Sequence, residues 1–259
     1  MTRPSAQRSV VALLAAALLP FPAVAVERVE GTAHDRDDGR VLYRETHWRL
    51  RGADGLSRVV LYRCPDGTPF ARKRLWGDPD EVAPRFEFID GRDGYREGVR
   101  AAAGGLEVYW RERADAPERR APAARSASTV FDAGFDALVR NGFPALVAGT
   151  PLRAAFLVPS RQDAVGIRIA PVAGPDDGTL RLRMSVDAWY GFVAPRTDLA
   201  YTRTDRRLRR FEGVGTIRDE RGRHLDVRIE FPPDGRRDGV APAEVDAALV
   251  APLARTCTR

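Results

Sequence analysis

The sequence predicts a mainly β protein of the α+β kind: a strongly curved antiparallel sheet or half-barrel, with one or two short helices packed on or in it. Three observations predict this. Leu225, Val227, Ile229 and Phe231 alternate with Asp226, Arg228 and Glu230, and Leu180, Leu182, Met184 and Val186 alternate with Arg181, Arg183, Ser185 and Asp187, the two-residue period of strands with one buried face. Asp-Gly pairs begin at positions 38, 54, 66, 90, 93, 177, 234 and 238, each a candidate turn because both residues tolerate positive φ. The clearest helical face, Phe135, Leu138 and Val139, is short. Frequent turns between short apolar runs favour a meander over a βαβ chain.

At the N-terminus, Arg3 and Arg8 precede an apolar run from Val10 to Leu19, and Ala23-Val24-Ala25 supplies small residues for cleavage. This is the pattern of a signal peptide over residues 1–25, and the run is too short to span a bilayer as a helix. The expectation is a periplasmic or secreted, non-integral protein that begins near Val26, with 26–259 as one β-rich domain. Without Arg3 and Arg8, 40 of the 42 basic residues remain against 36 acidic ones. A surplus near +4 on an exported protein suits an anionic envelope component and gives no case for nucleic acid. Lys73 is the only lysine, and the wealth of Arg, Ala, Gly and Pro has the look of GC-rich coding.

Strands are predicted at Val41–Leu50 and Leu56–Arg63, with 51–55 as a hairpin loop. His34 to Gly39 is acidic, but a calcium loop starting at Asp35 would need glycine at its sixth position and finds Arg40, so it reads as a charged hairpin turn. Further strands are expected at Phe70–Trp76, Arg85–Asp90 and Leu106–Glu112, whereas Tyr95–Ala103 is compatible with a strand or a helical turn. Residues 114–128 hold two prolines, several charges and no large apolar side chain, the composition of a flexible loop. Asp132 is placed to cap the helix carrying Phe135, Leu138 and Val139, which Asn141-Gly142 ends, and Pro144 starts a second one.

Leu152–Val158, Val165–Ile169 and Leu180–Val186 continue the sheet, followed by an aromatic bend at Trp189–Pro195 that is either the rim of a cavity or the end of the core. From Arg196 to Phe231 the pattern is a three-strand meander. Leu208 and Phe211 fall on opposite faces of a straight strand, which predicts a bulge between them, and one short helix fits Ala243–Val250. The Arg206-Arg207 and Arg209-Arg210 pairs read as an anion-contacting patch or as a charged edge that discourages aggregation. Cys64 and Cys257 are the only cysteines. In an oxidising compartment they either pair, tying the tail to the sheet for on the order of 4 to 5 kcal/mol, or remain separate thiols.

No nucleophile elbow, zinc-protease helix or phosphate-binding glycine loop occurs, and no metal or other cofactor is expected. His34, His47 and His224 lie far apart, with His47 in mid-strand the one that would matter if it faced a pocket. At TRTDRRLRRFEGVGTIRDERGRHLDVRIEF, and at RCPDGTPFARK around Cys64, the chain resembles exported proteobacterial proteins of a domain of unknown function. Its architecture resembles the half-barrels of periplasmic lipoprotein carriers. The resemblance implies a binding or carrier-like protein whose apolar concave face takes a lipid or other hydrophobic ligand. Leu182, Met184, Val186, Trp189 and Phe192 are the expected lining, with Phe135, Leu138 and Val139 on a helical lid above them; the other reading for all of these is a closed, filled core. The other classes are an envelope structural or interaction protein that uses an arginine-rich face or strand edge, and, third, an enzyme.

Overall fold

Alternating sequences become strands throughout the computed structural model, which describes residues 25–51, 55–188 and 196–257. Residues 1–24 of the segment expected to be a signal peptide, residues 52–54 of the expected 51–55 loop, and the bend with Trp189 and Phe192 lie outside them. One meander comprises β1 (Ala25–Asp35), β2 (Val41–Arg51), β3 (Leu56–Arg63), β4 (Pro69–Trp76), β5 (Arg85–Asp90), β6 (Arg96–Ala102), β7 (Gly105–Arg111) and β8 (Arg119–Pro122). After β9 (Thr129–Phe131) come α1 (Gly134–Asn141) and α2 (Phe143–Val147). A second meander follows: β10 (Leu152–Val158), β11 (Asp163–Pro171), β12 (Thr179–Val186), β13 (Thr197–Thr202), β14 (Leu208–Arg218) and β15 (His224–Glu230). The short β16 (Arg236–Asp238) and α3 (Pro242–Val250) come last.

Among the described residues all sixteen strands belong to one sheet, in the order β8 to β1, then β15 to β9, with β16 also paired to β1. Every pairing is antiparallel except β9 with β10. The two edge strands, β8 and β9, are consecutive in the chain, separated only by residues 123–128. Laid flat, fourteen inter-strand steps of ~4.8 Å would put the edges roughly 65 Å apart, whereas the connecting segment reaches about 25 Å at most. The sheet therefore has to roll up.

Side chains close the roll. Phe131 and Leu157, from β9 and β10, pack with Leu75, Phe86, Val99 and Val108 of β4 to β7, and the Phe131 amide donates to the Val82 carbonyl at 3.1 Å. A bulge at Arg209 on β14 shifts the register between Ala200–Arg210 and Tyr201–Leu208, as the opposed faces of Leu208 and Phe211 predict. A second irregularity, between Val214 and Arg218, adds curvature where the two meanders meet.

Tyr95–Ala103, ambiguous in sequence, is the strand β6, because Phe88 and Val108 flank it as register partners of Glu97 and Val99. The 114–128 segment is not all loop. Arg119–Pro122 adds to β7 as an edge strand, and its polar, arginine-rich sequence suits an edge. β3 is buried on both faces. Val60 and Tyr62 face inward, while Val59 and Leu61 lie under α3, against Val245 and Ala248. Arg72 holds α3 from its C-terminal end by donating to the Ala248 and Ala251 carbonyls. The tail after α3 is tied back by a disulfide between Cys64 and Cys257, with Cα atoms 5.5 Å apart and 193 positions between them in sequence.

Candidate functional site

The rolled sheet forms a cavity of about 480 Å³ that is partly open to solvent, within the range of sites for small-molecule ligands. Its walls come from both meanders: Val29, Val60 and Phe86 on one side, Phe156, Met184, Phe211 and Ile229 on the other, and Phe135 of α1 between them. The two-residue period decides which polar groups enter it. On β2, Tyr43, Glu45, His47 and Arg49 point inward. Register then carries one row across the sheet from His47 to Val60, Lys73, Phe88 and Glu97. A neighbouring row runs from Arg49 to Arg58, Leu75 and Phe86.

Two carboxylates at the start of α1 meet these rows. Asp132 does not cap the helix, as its sequence position suggests. Ala133 is the N-cap residue, with no side-chain bond. Asp132 has φ +44, a left-handed conformation that Asp tolerates better than most residues, and accepts from Lys73 Nζ at 2.6 Å. Lys73 also donates to Thr216 at 3.2 Å. The single lysine of an arginine-rich chain thus lies inside the cavity, only 4% exposed.

One turn on, Asp136 is buried. Its Oδ2 accepts from Arg49 at 3.2 Å, Arg58 at 3.4 Å and Arg140 at 3.4 Å, and its Oδ1 accepts from the Tyr201 hydroxyl at 3.2 Å. Burial alone would raise its pKa. The three guanidinium groups and the Tyr201 hydrogen bond outweigh burial and hold it down at about 2. Asp132 and Asp136 therefore latch α1 to β2, β3 and β4, and Tyr201 ties the same carboxylate to the second meander.

Burial perturbs the other inward groups. It pushes the Glu97 carboxyl up to about 6, opposed by the hydrogen bond that the Tyr95 hydroxyl donates at 2.6 Å. Burial lowers the pKa of His47, whose Nε2 is 2.9 Å from Glu45 Oε1. Arg58 is brought down to about 10, first by burial and then by the adjacent Arg49. Among the described residues no group of His, Cys, Asp and Glu is arranged to hold a metal ion, and no helix is long and apolar enough to cross a membrane.

Of the residues expected to line an apolar face, Met184 and Phe135 do line this cavity. Leu182 and Val139 are wholly buried in a separate core with Leu146 and Ile169, and Leu138 packs against that core. Val186 is half-buried at the end of β12, opposite Ile167, and outside the lining. Trp189 and Phe192 fall outside the described residues. The Arg206–Arg210 cluster is largely engaged within the molecule: Arg207 pairs with Glu27, Arg210 with Glu212, and Arg206 lies over the Phe143 ring. Sequence reasoning missed Lys73, Asp132, Asp136, Arg49 and Arg58 as a group. The available signal was Asp136, the one acidic residue within the helix that Phe135, Leu138 and Val139 mark as packed against the sheet.

No protein-family model and no curated protein matches this sequence. Among solved structures, the chain is similar to a β-barrel-like protein of the domain of unknown function DUF1849 from Brucella abortus. That match has 10% identity and a TM-score of 0.43, and covers 81% of this chain and 98% of the other.

Proposed function

We propose that this is an exported, non-enzymatic binding or carrier-like protein that holds a lipid or other hydrophobic ligand inside the rolled sheet. The observation that carries the reading is the cavity of about 480 Å³, walled by apolar side chains from both meanders. A filled core would be close-packed at that position. Pockets of this kind, mostly apolar with a few convergent polar groups, are the usual form of ligand sites. The Cys64–Cys257 disulfide supports export, since such bonds persist in oxidising compartments.

The test is native mass spectrometry and organic extraction of protein purified from its own cell envelope, beside a Met184→Trp variant whose larger side chain occupies the cavity. The expected result is a co-purifying apolar species in the wild type, with far less in the variant. Equal amounts in both, or none in the wild type together with no uptake of long-chain amphiphiles added in vitro, would sink the proposal.

A further inference from the structure

We infer that the cavity takes an amphiphile with an anionic head, a carboxylate or a phosphate, held between Arg49 and Arg58 while its tail occupies the apolar interior; this rests on the ligand-binding reading above. Arg49 and Arg58 are directly opposed register partners on β2 and β3. Like charges in that position repel and destabilise a sheet unless something lies between them. What the protein supplies is one oxygen of Asp136, at 3.2 and 3.4 Å, longer than the ~2.7–2.9 Å of a full charge-assisted bond. Arg140 shares the same oxygen and has Asp80 as a second partner, so three guanidinium groups face two carboxylates.

The donors are available as well as charged. Arg58 is 8% exposed, and the bond to Asp136 is the single hydrogen bond of its side chain among the described residues. Arg49 Nε is buried without a partner there. Of the other carboxylates of the wall, Asp132 accepts from Lys73 through Oδ1, Glu45 pairs with His47, Asp205 with Arg207 and Arg236, and Glu97 accepts from the Tyr95 hydroxyl, so none of them bonds Arg49 or Arg58. Arg49 and Arg58 also line a second, polar cavity of about 460 Å³ that contains Asp78, Asp80 and Glu81, the last two paired with Arg140 and Arg125. Shared by both cavities, the arginine pair is where an anionic head can meet two guanidinium groups while its tail stays in the apolar cavity. Two forked guanidinium groups suit the planar oxygens of a carboxylate or the oxygens of a phosphate.

Calorimetric titration of the purified full chain, stripped of bound lipid, with decanoate, decyl phosphate, decanol and inorganic phosphate tests this. Both anionic amphiphiles should bind at least about tenfold more tightly than decanol. Arg58→Gln and, independently, Arg49→Gln should each lower the affinity for decanoate and decyl phosphate by a larger factor than that for decanol, so that the advantage of the anionic amphiphiles is lost. The stronger of the two anionic amphiphiles then identifies which head the site prefers. Decanol binding as tightly as decanoate to the wild type, a comparison that needs no variant, would overturn the head-group inference and leave the cavity reading standing. Inorganic phosphate binding as tightly as decyl phosphate would also overturn it, because the tail would contribute nothing. Failure of all four probes to bind would overturn both.

Discussion

Replacing Asp136 by Asn tests the arrangement at its centre. The substitution keeps the shape and an acceptor for Tyr201 while removing the one charge that Arg49, Arg58 and Arg140 share. A carboxyl held at about 2 instead of 3.8 corresponds to about 2 kcal/mol of native-state stabilisation at neutral pH. Removing one member of a buried ion pair typically costs about 3 to 5 kcal/mol, since the remaining charge is stranded. The expected loss is thus roughly 2 to 4 kcal/mol at pH 7, read by urea unfolding. The folded pKa is depressed, so the stabilisation is present above about pH 4 and is lost as pH falls toward 2. Wild type and Asp136→Asn should differ most at neutral pH and converge near pH 2. The latch reasoning is refuted by a difference under about 0.5 kcal/mol at pH 7, or by curves that stay parallel through the acid range.

Glu97 has the opposite sign: its folded pKa of about 6 lies above the ordinary 4.5, so the folded state is favoured below pH 4.5 and loses about 2 kcal/mol as pH rises through 6. Glu97→Gln should therefore be the more stable protein at pH 7.5 and equal to wild type at pH 4.5, which denaturation at the two pH values will show. Replacing Cys64 and Cys257 by Ser opens a loop of 193 positions and should cost about 2 to 5 kcal/mol; unchanged unfolding midpoints would contradict it. Gly134→Ala ought to gain ~1 kcal/mol by helix propensity. A Cβ there would lie 2.0 Å from the Val82 carbonyl oxygen, so a drop of about 1 to 3 kcal/mol is expected instead. A raised melting temperature would refute that close approach.

Strand positions, turns and the two short helices before β10 were legible because each depends on a local period. Leu225 to Phe231 bury one face wherever that strand pairs, and Arg85–Asp90 and Leu152–Val158 emerge with the same limits they have in sequence. The bulge at Arg209 was equally local, since Leu208 and Phe211 cannot share a face without it. β8 was hidden because an edge strand buries little, so nothing apolar marks Arg119–Pro122. Residues chosen for an apolar lining divided between cavity and core, because alternation states that Leu182 and Met184 share a face but not what covers each along it.

The sequence by itself determined a chain of alternating strands, its turns, and two cysteines able to pair. Only the tertiary structure decided that the sheet rolls, since this follows from which strands are its edges, a property of pairing order with no local signature. Rolling brings Asp132 to Lys73 across 59 positions and Asp136 to Arg49 across 87. In sequence, these are separate charges among many. In the roll they are buried, and the low dielectric there makes each unmatched charge costly enough to shape both the fold and what the cavity can hold.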